Sequence, residues 1–355
     1  MRTLRFGCAL VGVTALSAVA TAVVISARTP AAGRAVRPAK HVLHVRLRRA
    51  ASLASVRVRS RTHQHLEHHR RPMTRPASHI GASPSLYERT TSIRILRAQG
   101  CHAGRVQTNG LVVLDFGKLA FRPRRGGYGT ITFADRFAAN RAISWAMKSY
   151  ARGYSRCLPR RSKARIILAR GTSNYNQDVP STYTAGRLWA GATVALANYL
   201  RRHHFDHVTA AAGDDVEPAW DRTFKRTYDF FRGYARNDHG YLIYNYGSLD
   251  GGVGAIWKLR QAYYVAGGMQ EARAVPEIYN RAMAREWAEL ARLSVHRYHK
   301  PIKLAGLMTQ HWTSCSGCGY TAPRARHVLV HELARATHVV PVRTLSAVTN
   351  IGAPR

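Results

Sequence analysis

Within GDDVEPAW, residues 213–220, Asp215 and Glu217 stand two apart, so on extended backbone their carboxyls share one face and Asp214 takes the other. Paired carboxyls are what glycoside hydrolysis needs. One protonates the leaving oxygen, and the other acts as base, nucleophile or stabiliser of the oxocarbenium-like transition state. The competing account of Glu217-Pro218 is an acidic helix start, where a carboxylate suits the positive end of the helix dipole. Asp115 in VLDFG and Glu277 in VPEIY are further acids, each at the end of an apolar run. Glu217, Asp215, Asp115 and Glu277 are therefore the catalytic candidates. Asn174, Asp214, Tyr244, Tyr246, Asp250 and Gln310 are the residues expected to line a substrate, with core packing the alternative for the two tyrosines. Trp220, Trp257 and Trp312 fall in or near the same loops.

Other chemistries lack their residues. There is no GxSxG, no GxGxxG after the first apolar run and no GxxxxGK[ST]. GSLDGGVG at 247–254 reads as a mobile turn and a candidate active-site loop, with no Lys at phosphate-loop spacing. Neither a cofactor nor a metal is expected. His63, His65, His68 and His69 cluster, but only Glu67 accompanies them.

These residues need elements that bring them to one place. Six short apolar runs, at 111–116, 165–170, 207–213, 241–247, 272–279 and 302–310, each precede a stretch with helical periodicity. An amphipathic segment at 85–98 comes before them. Strand–helix units in series give parallel strands, and runs apolar on both faces suit a covered sheet. An open doubly wound sheet and a closed barrel both fit. The 81–340 segment matches the roughly 250 residues of a TIM-like (β/α)8 barrel, which is the α/β fold expected here. Two strands would then be irregular or hidden, one of them near GGYGTITF at 126–133. The candidate acids would all lie on the C-terminal rim, where barrel sites are built.

Asp115 in VLDFG and the Asp215-Val216-Glu217 triplet give the layout a resemblance to the barrel-type muramidases (lysozymes), which are (β/α)8 glycoside hydrolases. Those carry an Asp at the end of the first strand and Asp-x-Glu at the end of a middle one. YNYGSLDGG and PEIYNRAMA also look like a group of secreted proteins from high-GC Gram-positive bacteria. The resemblance implies Glu217 as general acid, with Asp215 and Asp115 shaping charge and water. In those muramidases the first strand reads Asp-x-Ser, whereas here it reads Asp115-Phe116-Gly117.

Charge and export narrow the partners. The chain has 355 residues, 55 Lys+Arg against 18 Asp+Glu and a net charge of +37, which attracts polyanions. Arg2 and Arg5 precede an apolar run from Phe6 to Ser26, so residues 1–27 read as a signal peptide or signal-anchor. Residues 28–80 read as a disordered Arg/His-rich linker. Residues 341–355 read as a C-terminal tail. The expected location is secreted or membrane-anchored on the cell exterior, with membrane contact through the N-terminal segment. The expected partner is cell-wall glycan or another anionic envelope polymer. Nucleic acid is not expected, because the linker lacks interleaved aromatics. A barrel that binds wall polymer without cleaving it stands as the alternative. Beyond Cys8, the even set Cys101, Cys157, Cys315 and Cys318 suggests two disulfides. Cys315 and Cys318 are close enough to pair within one loop, leaving Cys101 for Cys157.

Overall fold

The computed structural model describes residues 82–221, 223–249, 251, 253–310, 318–336 and 345–353. The expected leader and linker, Asp250, Trp312 and Cys315 lie outside the described residues. The chain opens with β1 (Ser83–Tyr87), α1 (Ile93–Arg105), β2 (Gly110–Arg122), β3 (Gly127–Ile131) and β4 (Phe137–Ala139). It continues through α2 (Asn140–Cys157), β5 (Ile166–Asp178), α3 (Thr182–Arg202), β6 (Val208–Asp214), α4 (Lys225–Ala235) and β7 (Ile243–Asn245). The last part runs α5 (Leu259–Tyr263), β8 (Ala272–Ala274), α6 (Arg281–Tyr298), β9 (Gly306–Thr309), α7 (Ala322–Ala336) and β10 (Ala347–Gly352).

The strand order β1–β2–β5–β6–β7–β8 continues on the other side of β1 with β10 and β9, all parallel. Single bridges Ala274↔Leu304 and Glu277↔Met308 join β8 to β9. The result is a nearly closed barrel of eight parallel strands with helices outside. Its interior takes residues from successive strands, among them Val113, Ala169, Ala211, Tyr246, Val275, Met308 and Ile351. Apolar shells between barrel and helices complete the core. No helix of the described residues is long and apolar enough to cross a membrane.

All six apolar runs form barrel strands. The two remaining strands are not where the pattern places them. The strand near GGYGTITF exists as β3, but it pairs antiparallel with β2 and belongs to a hairpin with β4 above the barrel rim. The first barrel strand is β1, which overlaps the start of the segment read as amphipathic, and the eighth is β10, inside the expected tail. The barrel thus reaches residue 352 instead of stopping at 340. Both strands are polar for a structural reason. Ser85 Oγ lies 2.6 Å from Thr349 Oγ1 and accepts the Val113 N–H at 2.8 Å, and Ser83 Oγ bonds the carbonyls of Leu111 and Val348. Toward β2 these hydroxyls make the join where backbone pairing is absent, since the β1–β2 register begins only at Leu86↔Leu114, and toward β10 they add to a backbone ladder that already runs from Ser83.

Outside the barrel, α1 and α2 cross at glycines. A Cβ on Gly100 would meet the Tyr150 carbonyl oxygen at 2.1 Å, and one on Gly153 would meet that of Arg97 at 2.1 Å. The expected Cys101–Cys157 disulfide is present and locks this crossing across a sequence separation of 56. Cys318 is disulfide-bonded as well. Replacing Cys101 and Cys157 by Ala is expected to cost about 2–4 kcal/mol, because the open chain regains loop entropy. The readout is a lower urea midpoint, and an unchanged midpoint would show that the crossing holds without the bond.

Candidate functional site

The C-terminal ends of the strands gather the acids. Asp215 follows β6 and bridges to Ser173 of β5, with its N–H donating to the Thr172 carbonyl at 2.8 Å. Glu277 follows β8, with its N–H donating to the Gly247 carbonyl at 3.3 Å. Glu217 sits on the turn beyond Asp215. One carboxylate oxygen from each of Asp215, Glu217 and Glu277 lies within 4.8 Å of the others. Asp215 and Glu277 are buried, while Glu217 is half-buried at the opening.

The turn carrying Glu217 is held by Asn174. Its Oδ1 accepts the Glu217 N–H at 3.0 Å, and its Nδ2 donates to the Glu217 carbonyl at 3.0 Å and to Thr227 Oγ1 at 3.1 Å. Asn174 is expected from sequence to touch substrate. Instead it is buried with its amide committed to protein, and it positions the acid. Thr227 is fixed in turn by Asp221, whose Oδ2 accepts both its N–H and its hydroxyl. Trp257, expected in a rim loop, donates its indole N–H to the Asp221 carbonyl at 2.6 Å and is buried in the outer shell.

Asp115 lies on the second barrel strand instead of the first, because β1 precedes it. It sits at a bulge where the β2–β5 register shifts between Asp115 and Lys118. Gly117 makes the bulge with φ of 82°, a left-handed conformation that favours glycine, and its N–H donates to Asp115 Oδ1 at 2.7 Å. Asp115 is fully buried, and burial raises its carboxyl to about 6 despite that bond and the nearby Tyr246 hydroxyl. It forms the floor of the site and does not open to substrate.

Tyr244 and Tyr246 also belong to this floor and not to a sugar platform. Both are buried among the barrel-filling residues. Tyr246 spans the barrel to donate its hydroxyl to the Thr172 carbonyl at 2.9 Å. Gly171 makes room for it, since a Cβ there would lie 2.5 Å from that hydroxyl. Asp214, also expected to line substrate, is fully buried on the opposite face from Asp215, with no hydrogen-bond partner on either oxygen among the described residues. Burial, then the Asp115 charge, pushes its carboxyl well up. Gln310 is half-buried at the end of β9, 3.7 Å from the Cys318 sulfur.

Two residues join the site that the strand pattern does not indicate. Tyr87 ends β1, and Tyr279 lies two positions after Glu277. Burial and then the charges of Glu277, Asp215, Asp115 and Glu217 raise the Tyr87 hydroxyl well above its usual value. Burial raises the Tyr279 hydroxyl too, reinforced by the charge of Glu277 and a hydrogen bond to it. Tyr279 thus bonds Glu277 at the acid cluster, and Tyr87 lies within reach of the same charges. Their signal in sequence is position: each is at or just beyond a strand end, but β1 must be recognised first.

No family model matches the chain, and neither does any curated protein. The chemistry therefore has to be read from the site itself. Burial, then the charges of Glu277, Glu217, Asp115 and Asp214, raise the Asp215 carboxyl well above its usual value. Clustered carboxyls can share protons, as general acid catalysis requires, or surround a cation. The same three are the residues among those described whose oxygens could hold a metal ion, and an all-oxygen set suits a hard cation such as Mg²⁺ or Ca²⁺.

Proposed function

We propose that the protein is an exported glycoside hydrolase acting on cell-envelope glycan by carboxylate acid/base chemistry. The observation that carries this reading is the placement of Asp215, Glu217 and Glu277 within 4.8 Å of one another at the C-terminal mouth of a (β/α)8 barrel. Glu217, the most open of the three, protonates the glycosidic oxygen. Glu277 faces it as the second carboxylate, hydrogen-bonded by Tyr279, and stabilises or attacks the anomeric carbon. Asp215, whose carboxyl is raised by burial and by both neighbours, limits the negative charge that gathers beside Glu277.

The short separation suits the retaining arrangement, in which the two carboxyls stand about 5–5.5 Å apart. An inverting enzyme leaves about 6.5–9.5 Å for a water. The likeness to barrel muramidases supports the same acid, since Asp215-Val216-Glu217 ends the fourth barrel strand. Residues 80–355 carry 40 Lys+Arg against 17 acids, a surface that draws anionic wall polymer toward the mouth.

The test is reducing-end release from purified bacterial cell wall by the full chain, with the first-formed anomer followed by proton NMR. Release with retained configuration, surviving a chelator, is the expected result. Release abolished by chelator and restored by Mg²⁺ or Ca²⁺ would overturn the metal-free part of the reading. No release, with the wall still pulled down, would overturn hydrolysis and leave a wall-binding barrel.

A further inference from the structure

The upper parts of β2 and β5 project past the barrel rim, and they carry an aromatic and cationic cluster that the acid chemistry does not use. Tyr175 on β5 is 48% exposed, unusual for a large aromatic on a strand. Trp220 packs edge-on against it, ring centroids 5.2 Å apart at 73°. Lys118 on β2 brings its ammonium to 5.5 Å from the Tyr175 ring centroid. Lys118 forms no ion pair with any described residue, whereas nearby Arg122 is engaged with Asp178 at 2.6 Å.

This cluster is fixed relative to the acid. Tyr175 directly follows Asn174, the residue that clamps both backbone groups of Glu217. The backbone N–H of Trp220 donates to the Glu217 carbonyl at 3.1 Å. Platform and acid are therefore one rigid unit with a set spacing, which a loop assembled by packing alone would not need. Partly exposed aromatic faces stack on the C–H face of a pyranose, and an unpaired ammonium beside them takes an acid group.

We infer that Tyr175, Trp220 and Lys118 form a binding subsite beside Glu217 for a sugar unit bearing an acid group, carboxylate or phosphate. This rests on the glycan reading above for its setting, but it concerns binding and not cleavage.

Binding is measured by titration calorimetry and tryptophan fluorescence on the full-length Glu217→Gln protein, so that no ligand is consumed. The probes are tetragalacturonate, its methyl ester, which is the same chain without charge, and galactose 6-phosphate. The acid form is expected to bind about tenfold more tightly than the ester. Adding Lys118→Gln should erase that preference, while Lys148→Gln, which removes the same charge from α2, where it lies over the Trp145 and Tyr199 rings, should not. Tyr175→Ala should weaken acid and ester alike by about tenfold with the melting temperature unchanged. Galactose 6-phosphate binding that depends on Lys118 would assign phosphate as the acid group, and its absence would assign carboxylate.

Equal binding of acid and ester, or an equal loss in Lys118→Gln and Lys148→Gln, would overturn the inference. So would an unaffected Tyr175→Ala. Because nothing is cleaved in this assay, a failure of wall hydrolysis with Lys118-dependent binding retained would sink the enzyme reading alone. Hydrolysis without that binding would sink only the subsite.

Discussion

Glu217→Gln is expected to lower glycan release by about 10²- to 10⁴-fold, the usual contribution of a positioned general acid. Gln keeps the shape and the half-buried setting of Glu217, and the clamp from Asn174 acts on backbone atoms that the substitution leaves alone. The folded protein should therefore be unchanged, with wall binding retained. Glu277→Gln should lose activity to a similar degree, but for a different reason. It removes the charge that faces the developing oxocarbenium and that Tyr279 bonds to. An added small nucleophile such as azide should restore turnover in Glu277→Gln with inverted configuration if Glu277 attacks carbon. Activity of Glu217→Gln within about threefold of the native protein would remove Glu217 from the acid role.

Glu88→Gln is expected to stabilise the protein at pH 8 and to flatten its pH dependence. Glu88 directly follows β1, is buried completely and has one oxygen without a partner. Its other oxygen lies 3.5 Å from the Gln99 amide. Burial raises its carboxyl to about 8, with a further push from Asp115. The unfolded chain ionises the same group near 4.3. Between those values the native state holds a proton that the unfolded state has released, so stability falls as pH rises from about 4.3 to about 8 and then levels off. The cost at the upper end is on the order of 5 kcal/mol. Asp115 adds a smaller loss over the lower part of that range, since its carboxyl is raised to about 6. In a domain of this size the Gln variant should melt roughly 10 °C above the native protein at pH 8, and close to it at pH 4.5. Parallel melting curves for the two proteins from pH 4.5 to 8 would show that Glu88 is not the group responsible.

Much of the barrel is legible in the sequence because six of its strands are apolar on both faces. LVVLDF and RIILAR read as covered strands since one face fills the barrel and the other meets the helices. β1 and β10 evade that pattern because their inward-facing groups are Ser83, Ser85 and Thr349, which bond to neighbouring strands and to each other. Missing β1 also hides Tyr87 and Glu88, and it places Asp115 one strand too early. Asp215 and Glu217 are legible because a spacing of two on extended backbone needs no tertiary knowledge. Glu277 is reached by the strand-end rule, but its approach to the other two depends on the curvature of the closed barrel, which local pattern does not contain. Asn174, Tyr244 and Tyr246 illustrate the opposite limit. Polar residues at strand ends can spend their groups on protein: Asn174 on a backbone clamp, Tyr246 on a carbonyl across the barrel. Sequence does not distinguish those uses from contact with a substrate.

The seam between β1 and β10 sets the order in which the molecule can be made. Ser83 pairs with Thr349 and Leu86 with Gly352, contacts between the first and last described strands. A chain emerging from its N-terminus leaves β1 with one neighbour until residue 347 arrives. Helix pairs such as α1 and α2 can dock early, but closure must wait for the final turn of chain. Such distant pairing makes for slow folding and a long interval with unpaired strand edges. A truncation that deletes only β10 would leave β1 and β9 as permanent edges, turning a nearly closed ring into an open template for another copy of itself.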